Sequence, residues 1–212
     1  KMENARVTLS KRGVHIGDID TQTNIPNIYV VGDASGHISL VNVGELEGRY
    51  AVERIFSKKY YPINYKNICT IMFLQPEVAS VGINEKTCIE EKIPVKVVKL
   101  DYSCIARAIA MRKTEGFFKI IVSDDDKMKI LGMRAVGEHA SSAIQGVGLL
   151  MKMDKNIQEL AEMVHPHPSI IEGIQECVRM LLNKSIFKSS IFKDKLWCYR
   201  RLGEHVENLQ RL

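Results

Sequence analysis

Phe117-Phe118-Lys119-Ile120-Ile121-Val122, the acidic turn Ser123-Asp124-Asp125-Asp126, and Ile130-Leu131-Gly132-Met133-Arg134-Ala135-Val136 read together as a β-hairpin. Aromatic and β-branched runs bounded by turn residues favour strands. Working outward, 68–73, 78–82 and 95–100 are further strand candidates, and 84–91 is a short helix opened by Asn84. Helices follow the hairpin. Ala140, Ala143, Ile144, Val147, Leu150 and Met151 are spaced for one buried helical face, and 157–164 forms a short helix. Ile170, Ile171, Ile174, Cys177, Val178, Leu181 and Leu182 line a face of a third. Strands first and helices after predict an α+β fold, an antiparallel sheet with helices packed on one side.

The N-terminal part reads differently. Residues 13–16 and 28–31 look like short strands, separated by turn clusters at 17–20 and 24–27. Gly32-Asp33-Ala34-Ser35-Gly36 is a loop; Asn42, with Glu45 three places on, caps a helix running to about 56. Residues 58–66 read as a linker. A carboxylate at the carboxyl end of a strand is well placed to hydrogen-bond a ligand hydroxyl, so Asp33 is a binding candidate. The following helix would turn its N-terminal N–H groups toward an anionic oxygen. On spacing alone, Asp33 reads first as the start of a turn.

The second chemical stretch is His165-Pro166-His167-Pro168-Ser169-Ile170-Ile171-Glu172. It sets imidazoles, a proline-restricted backbone and a carboxylate side by side. A carboxylate that fixes one ring nitrogen makes the other a better base, so His167 with Glu172 is a candidate acid/base pair. Ser169-x-x-Glu172 is also a helix capping box, and both roles coexist if Glu172 turns toward His167. Metal binding by His165 and His167 lacks a third ligand at a zinc-like spacing, and no metal is expected.

Composition sets the bounds. At 45% hydrophobic and 26% charged residues, the 212-residue chain reads as soluble and globular. No apolar run approaches the ~20 residues of a membrane span, and no signal peptide is visible at Lys1-Met2-Glu3-Asn4-Ala5. Five cysteines, at 69, 88, 104, 177 and 198, form no CxxC pair and fit a reducing compartment, the cytoplasm or an organelle matrix. Cys69, Cys88 and Cys104 read as buried small hydrophobes. The net charge of +5 is concentrated at the end: residues 184–212 hold seven Lys or Arg against three Asp or Glu. That stretch reads as a solvated basic extension. No RNP, zinc-finger or helix-turn-helix signature accompanies it, so no nucleic-acid partner is expected.

Over about residues 12–183 the chain resembles the C-terminal part of the FAD-dependent pyridine nucleotide–disulfide oxidoreductases, and dihydrolipoamide dehydrogenases most. The resemblance rests on residues 23–33 (Thr-Asn-Ile-Pro-Asn-Ile-Tyr-Val-Val-Gly-Asp), Glu47-Gly48, and Gly116-Phe117-Phe118-Lys119-Ile120. It continues in Ile130-Leu131-Gly132 followed by Gly137-Glu138, and in the His/Pro octet. It implies that Gly32 and Asp33 bind the FAD ribitol chain. It also implies that Leu40, Val41 and Asn42, at the start of the 41–56 helix, lie near the flavin pyrimidine edge. His167 would be the catalytic acid/base, oriented by Glu172 and acting on the flavin and redox disulfide of the other subunit of a homodimer. Residues 1–64 would then end an α/β FAD-binding domain, 67–183 form the interface domain, and 184–212 extend beyond it.

Two departures stand out. Val41-Asn42 occupies the place where dihydrolipoamide dehydrogenases commonly carry Ala-His. The chain also holds no GxGxxG and no CxxxxC, so the FAD fingerprint, the redox cysteine pair and the NAD(P)-binding part are not in it. The resemblance therefore implies the back portion of an enzyme passing electrons between a small dithiol or lipoyl group, FAD and NAD or NADP. A transhydrogenase or mercuric reductase relative is the alternative within the class. An inert dimerisation module is the alternative for the isolated chain.

Overall fold

The computed structural model describes residues 2–11, 14, 21–57, 61–188 and 190–209, which divide into two units, Lys1–Tyr65 and Lys66–Leu212. Most of the 13–16 strand, the 17–20 turn and the first residues of the expected linker lie outside the described residues.

In the first unit, Val7, Val14 and Val30 are buried together with Ile25 and Ile28 against them. Among the described residues, the stretch 28–31 makes a single bridge, Gln22 to Tyr29. The Thr23 N–H donates to the Ile28 carbonyl at 3.0 Å and the Val30 N–H to that of Thr21 at 2.8 Å. A turn closed by the Ile28 N–H to the Ile25 carbonyl at 2.9 Å folds the segment back. Helix α1, Val41–Phe56, buries Val43, Glu47, Tyr50 and Ala51. The expected Asn42 cap is corrected: Leu40 is the N-cap residue and no side chain caps the helix. The Leu40 carbonyl already accepts from the Val43 and Gly44 N–H groups, which leaves Asn42 exposed within the first turn.

The second unit carries β1 (Thr70–Met72), β2 (Val78–Gly82), α2 (Glu85–Glu90), β3 (Val95–Asp101), α3 (Ala106–Ala110), β4 (Phe117–Ser123) and β5 (Ile130–Val136). Then follow α4 (Ala140–Lys152), α5 (Gln158–Glu162), α6 (Glu172–Leu181), β6 (Leu196–Leu202) and β7 (His205–Asn208). Among the described residues, these seven strands form one sheet in the order β1-β2-β5-β4-β3-β6-β7, and every neighbouring pair is antiparallel.

The registers explain the core. Val81, Met133, Ile120, Val98 and Cys198 stand opposite one another across five strands, and Ala79, Ala135, Phe118, Leu100 and Leu196 form a parallel row. All ten are buried on the face that receives α4 and α6. Each fully buried large apolar side chain contributes about 1.5–3 kcal/mol, so these rows dominate the unit's stability. The α+β expectation holds, with one refinement. Helix α2 packs on the opposite face, where Cys88 meets Val95, Val97 and Ile121. Its start is capped as read from the sequence, with the Asn84 side chain accepting from the Thr87 N–H at 2.9 Å.

The solvated basic extension is corrected most clearly. Residues 196–208 add β6 and β7 to the sheet, and β6 pairs along β3 from Val95 to Leu100. Its cations are held in place: Arg201 contacts Glu85, Lys195 lies 3.7 Å from Asp101, and Arg200 reaches both Asp124 and Glu207. On the sheet face opposite α4 and α6, Glu85 also accepts from Lys119 and from the Tyr199 hydroxyl, each at 2.6 Å.

Candidate functional site

Two places carry the sequence candidates, one in each unit. In the second unit, α5 ends at Glu162, and the next residues turn through the His/Pro octet into α6. The Gln75–Pro76 and His167–Pro168 bonds are cis. His165 is buried with Nδ1 3.2 Å from the Met163 carbonyl oxygen, and burial pulls its pKa down, so its ring is a structural, neutral group. His167 is the opposite case, with 73% of its side chain exposed.

His167 Nδ1 lies 2.8 Å from Glu172 Oε1. Glu172 Oε2 accepts the Ser169 N–H, also at 2.8 Å. One carboxylate therefore closes half of a capping box and orients the imidazole at once. Burial raises the Glu172 pKa. The Ser169 N–H, the His167 hydrogen bond and the nearby imidazoles outweigh that and hold the carboxyl below its ordinary range. With a proton on Nδ1 directed at the carboxylate, Nε2 is the ring nitrogen left with a lone pair facing away from Glu172. The position of Glu172 is set by the next residue. A Cβ on Gly173 would fall 2.5 Å from Ile105 Cδ1 and 2.8 Å from Phe118 Cδ2, so α6 seats on the sheet through that glycine.

Beside the pair is a cavity of about 180 Å³, lined among others by Ile105, His167, Glu172, Glu176, Arg179 and Phe187. Glu176 is only 4% exposed; burial pushes its pKa up, and the Ser185 hydroxyl donates to it. The five thiols are unpaired. Burial raises all of them, Cys198 to about 11, which makes them poor nucleophiles at neutral pH. Cys88 is buried as expected, whereas Cys69 and Cys104 are half-buried. Among the described residues, no cluster of three or more His, Cys, Asp or Glu is placed to hold a metal ion.

In the first unit, Gly32–Ser35 form a 3-10 turn closed by Gly36. Gly32 has φ +64°, and Asp33 is exposed beside it. The Ser35 hydroxyl donates to the Gly32 carbonyl at 2.8 Å. The Gly32 N–H donates to Glu47 Oε2 at 2.6 Å, and the Tyr65 hydroxyl to Glu47 Oε1 at 2.9 Å. Helix α1 comes close here because Gly44 has no side chain: a Cβ on it would lie 3.3 Å from Gly32 Cα. Leu40 is half-buried, while Val41 and Asn42 are exposed at the helix start. The first turn carries no acidic residue and no side-chain cap. Its N–H groups and the exposed Asp33 fit a ligand that offers both hydroxyls and an electron-rich edge, as FAD does.

Glu47 belongs to the Glu47-Gly48 motif, and the sequence alone assigns it no chemical role. The signal was present: it shares a helical face with Val43, Tyr50 and Ala51, so the pattern itself puts a carboxyl on the buried side.

Comparison with known proteins agrees with this architecture. The family described as "Pyridine nucleotide-disulphide oxidoreductase, dimerisation domain" matches residues 68–178. A dihydrolipoyl dehydrogenase from Chlamydia trachomatis is 36% identical over 171 residues, covering 81% of this chain and 36% of that protein. One from Haemophilus influenzae is 35% identical, covering 80% and 35%. Among solved structures, LpdA from Mycobacterium tuberculosis superposes with TM-score 0.76 at 24% identity, covering 85% of this chain and 39% of that one. The HOCl-induced flavoprotein disulfide reductase RclA from Escherichia coli gives 0.76 at 24%, covering 84% and 41%, a likeness of fold. The chain belongs to the pyridine nucleotide–disulfide oxidoreductase family. It spans a little over a third of the length of the curated relatives it matches.

Proposed function

We propose that this chain supplies the acid/base pair, part of the flavin contact and the dimer-forming domain of an FAD- and NAD(P)-dependent disulfide oxidoreductase of the dihydrolipoyl dehydrogenase type. The observation that carries the reading is the 2.8 Å contact between His167 Nδ1 and a Glu172 carboxylate that is itself fixed by the Ser169 N–H. FAD, when bound, supplies the two-electron carrier between a dithiol and a nicotinamide. Asp33 and the first turn of α1 hold the ribityl and pyrimidine parts.

The chain's own chemistry is proton handling. A thiol of a small dithiol, such as a lipoyl group, gives its proton to His167 Nε2. Glu172 stabilises the imidazolium so formed, and the thiolate is then free to attack a disulfide. That disulfide is not among the five unpaired thiols of this chain. A base of this kind has no use in plain transhydrogenation between nicotinamides, which disfavours that alternative. The reading places two copies in a homodimer. It favours a reducing compartment, cytoplasm or organelle matrix, for a chain with five unpaired thiols. No helix among the described residues is long and apolar enough to cross a membrane.

Steady-state turnover with dihydrolipoamide against pH tests the reading, comparing the complete flavoprotein with its Glu172→Gln variant. The reading predicts lower turnover in the variant with flavin content unchanged. Equal turnover across the pH range would refute it.

A further inference from the structure

We infer that Glu47 is a positioning residue for flavin binding, acting through Gly32 on Asp33. The inference rests on the proposed role of Asp33 toward a ribityl hydroxyl and assigns that site a supporting group.

Glu47 is 1% exposed, on the inner face of α1. Both of its oxygens are engaged, Oε2 by the Gly32 N–H at 2.6 Å and Oε1 by the Tyr65 hydroxyl at 2.9 Å. A buried carboxyl is costly to keep unless its partners are well placed, and an apolar residue fills the same helical position at lower desolvation cost. What this carboxyl does that an apolar residue does not is accept the N–H at the first residue of the Asp33 turn. Gly32 is held at φ +64°, a left-handed conformation, and its own carbonyl is tied to the Ser35 hydroxyl. The turn is thus gripped at both ends of its first residue, and Asp33 follows one residue later. Gly44 allows the close approach that lets Glu47 reach across. Glu47 touches no ligand in this scheme; it sets where the Asp33 carboxylate stands.

The test uses the complete flavoprotein and its apoprotein, with FAD as the probe. The dissociation constant is measured by flavin fluorescence, and the apoprotein Tm is taken alongside. Glu47→Gln keeps a carbonyl oxygen for the Gly32 N–H, and the Tyr65 hydroxyl can turn to accept from the amide nitrogen. It should bind FAD within about threefold of wild type, since the acceptor is retained. Glu47→Met removes the acceptor and should weaken FAD binding about 10- to 100-fold, the scale of leaving a buried N–H without its partner.

Should Glu47→Met fail to fold, Glu47→Asp decides: it keeps the carboxyl group but shortens the reach, and should bind FAD more weakly than Glu47→Gln. Rescue by Gln but not by Asp is a pattern that general destabilisation does not produce. Asp33→Ala is the control on the underlying reading. If Asp33→Ala weakens FAD binding while Glu47→Met, or Glu47→Asp in its place, binds as wild type, the inference is overturned and the flavin reading stands. If Asp33→Ala also binds FAD normally, the flavin reading itself falls and the inference with it.

Discussion

Glu172 bonds in two directions at once: Oε1 to His167 Nδ1 and Oε2 to the Ser169 N–H, each at 2.8 Å. The carboxylate that starts α6 is thereby the same group that orients the exposed imidazole. This double use makes the pair sensitive to the seating of the helix as well as to its own chemistry. Glu172→Ala should lose both bonds, costing roughly 0.5–2 kcal/mol of stability through the lost helix start. Turnover should fall further than stability alone explains. Chemical denaturation together with steady-state kinetics checks the two effects separately.

Gly173 is the next point of failure. A Cβ there meets the Ile105 and Phe118 side chains at 2.5 and 2.8 Å, inside van der Waals contact. Gly173→Ala should lift the first turn of α6 and destabilise the protein by about 1–3 kcal/mol. Dithiol turnover should drop with it. An unchanged Tm in a thermal melt would show that Ile105 and Phe118 yield without cost.

The last two strands are structural members. Leu196 is buried in register with Leu100, and Cys198 with Val98. Leu196→Ala should cost about 2–4 kcal/mol. Deleting residues 184–212 exposes the β3 edge and the apolar row beneath it, which favours aggregation. Soluble yield and urea unfolding of the two variants test this, and a truncated protein as stable as the parent would contradict it.

The Glu85 cluster gives a pH prediction. Burial raises the Glu85 pKa, but hydrogen bonds from Lys119 and Tyr199 and the charges of Lys119 and Arg201 outweigh it, and the net direction is down. A folded-state pKa below the unfolded value gives stability that is present above the unfolded carboxylate range. That stability is lost as pH falls through the lower folded value. Tm should therefore decline on acidification below about pH 4.5, the ordinary value for a glutamate. In Glu85→Gln the starting Tm should be lower and this part of the decline reduced. Parallel Tm profiles in the two proteins would remove Glu85 as the cause.

Much of the second unit was legible because its signals are local. The β4–β5 hairpin, the Asn84 cap and the buried face of α4 follow from alternation, capping chemistry and helical spacing. The fate of residues 184–212 was not legible. Basic residues flank its short apolar run Leu196-Trp197-Cys198-Tyr199, and the burial of that run depends on a β3 edge some hundred residues away. Helix α3 was missed because Ala106–Ala110 is a single turn or so with little periodicity. At the site, the nearness of His167 and Glu172 could be read from their spacing. The Asn42 cap failed because the chain had already entered the helix at Val41.

The most direct measurement is stopped-flow reduction of the flavin by dihydrolipoamide in the complete flavoprotein, comparing wild type with His167→Gln, with NADH-driven reduction as the parallel control. The account predicts that dithiol-driven reduction slows by about 10²–10⁴-fold, the usual range for loss of a general acid/base. NADH-driven reduction and flavin content should stay as in wild type. Equal rates with the dithiol in both proteins would contradict the assignment of His167 as the base.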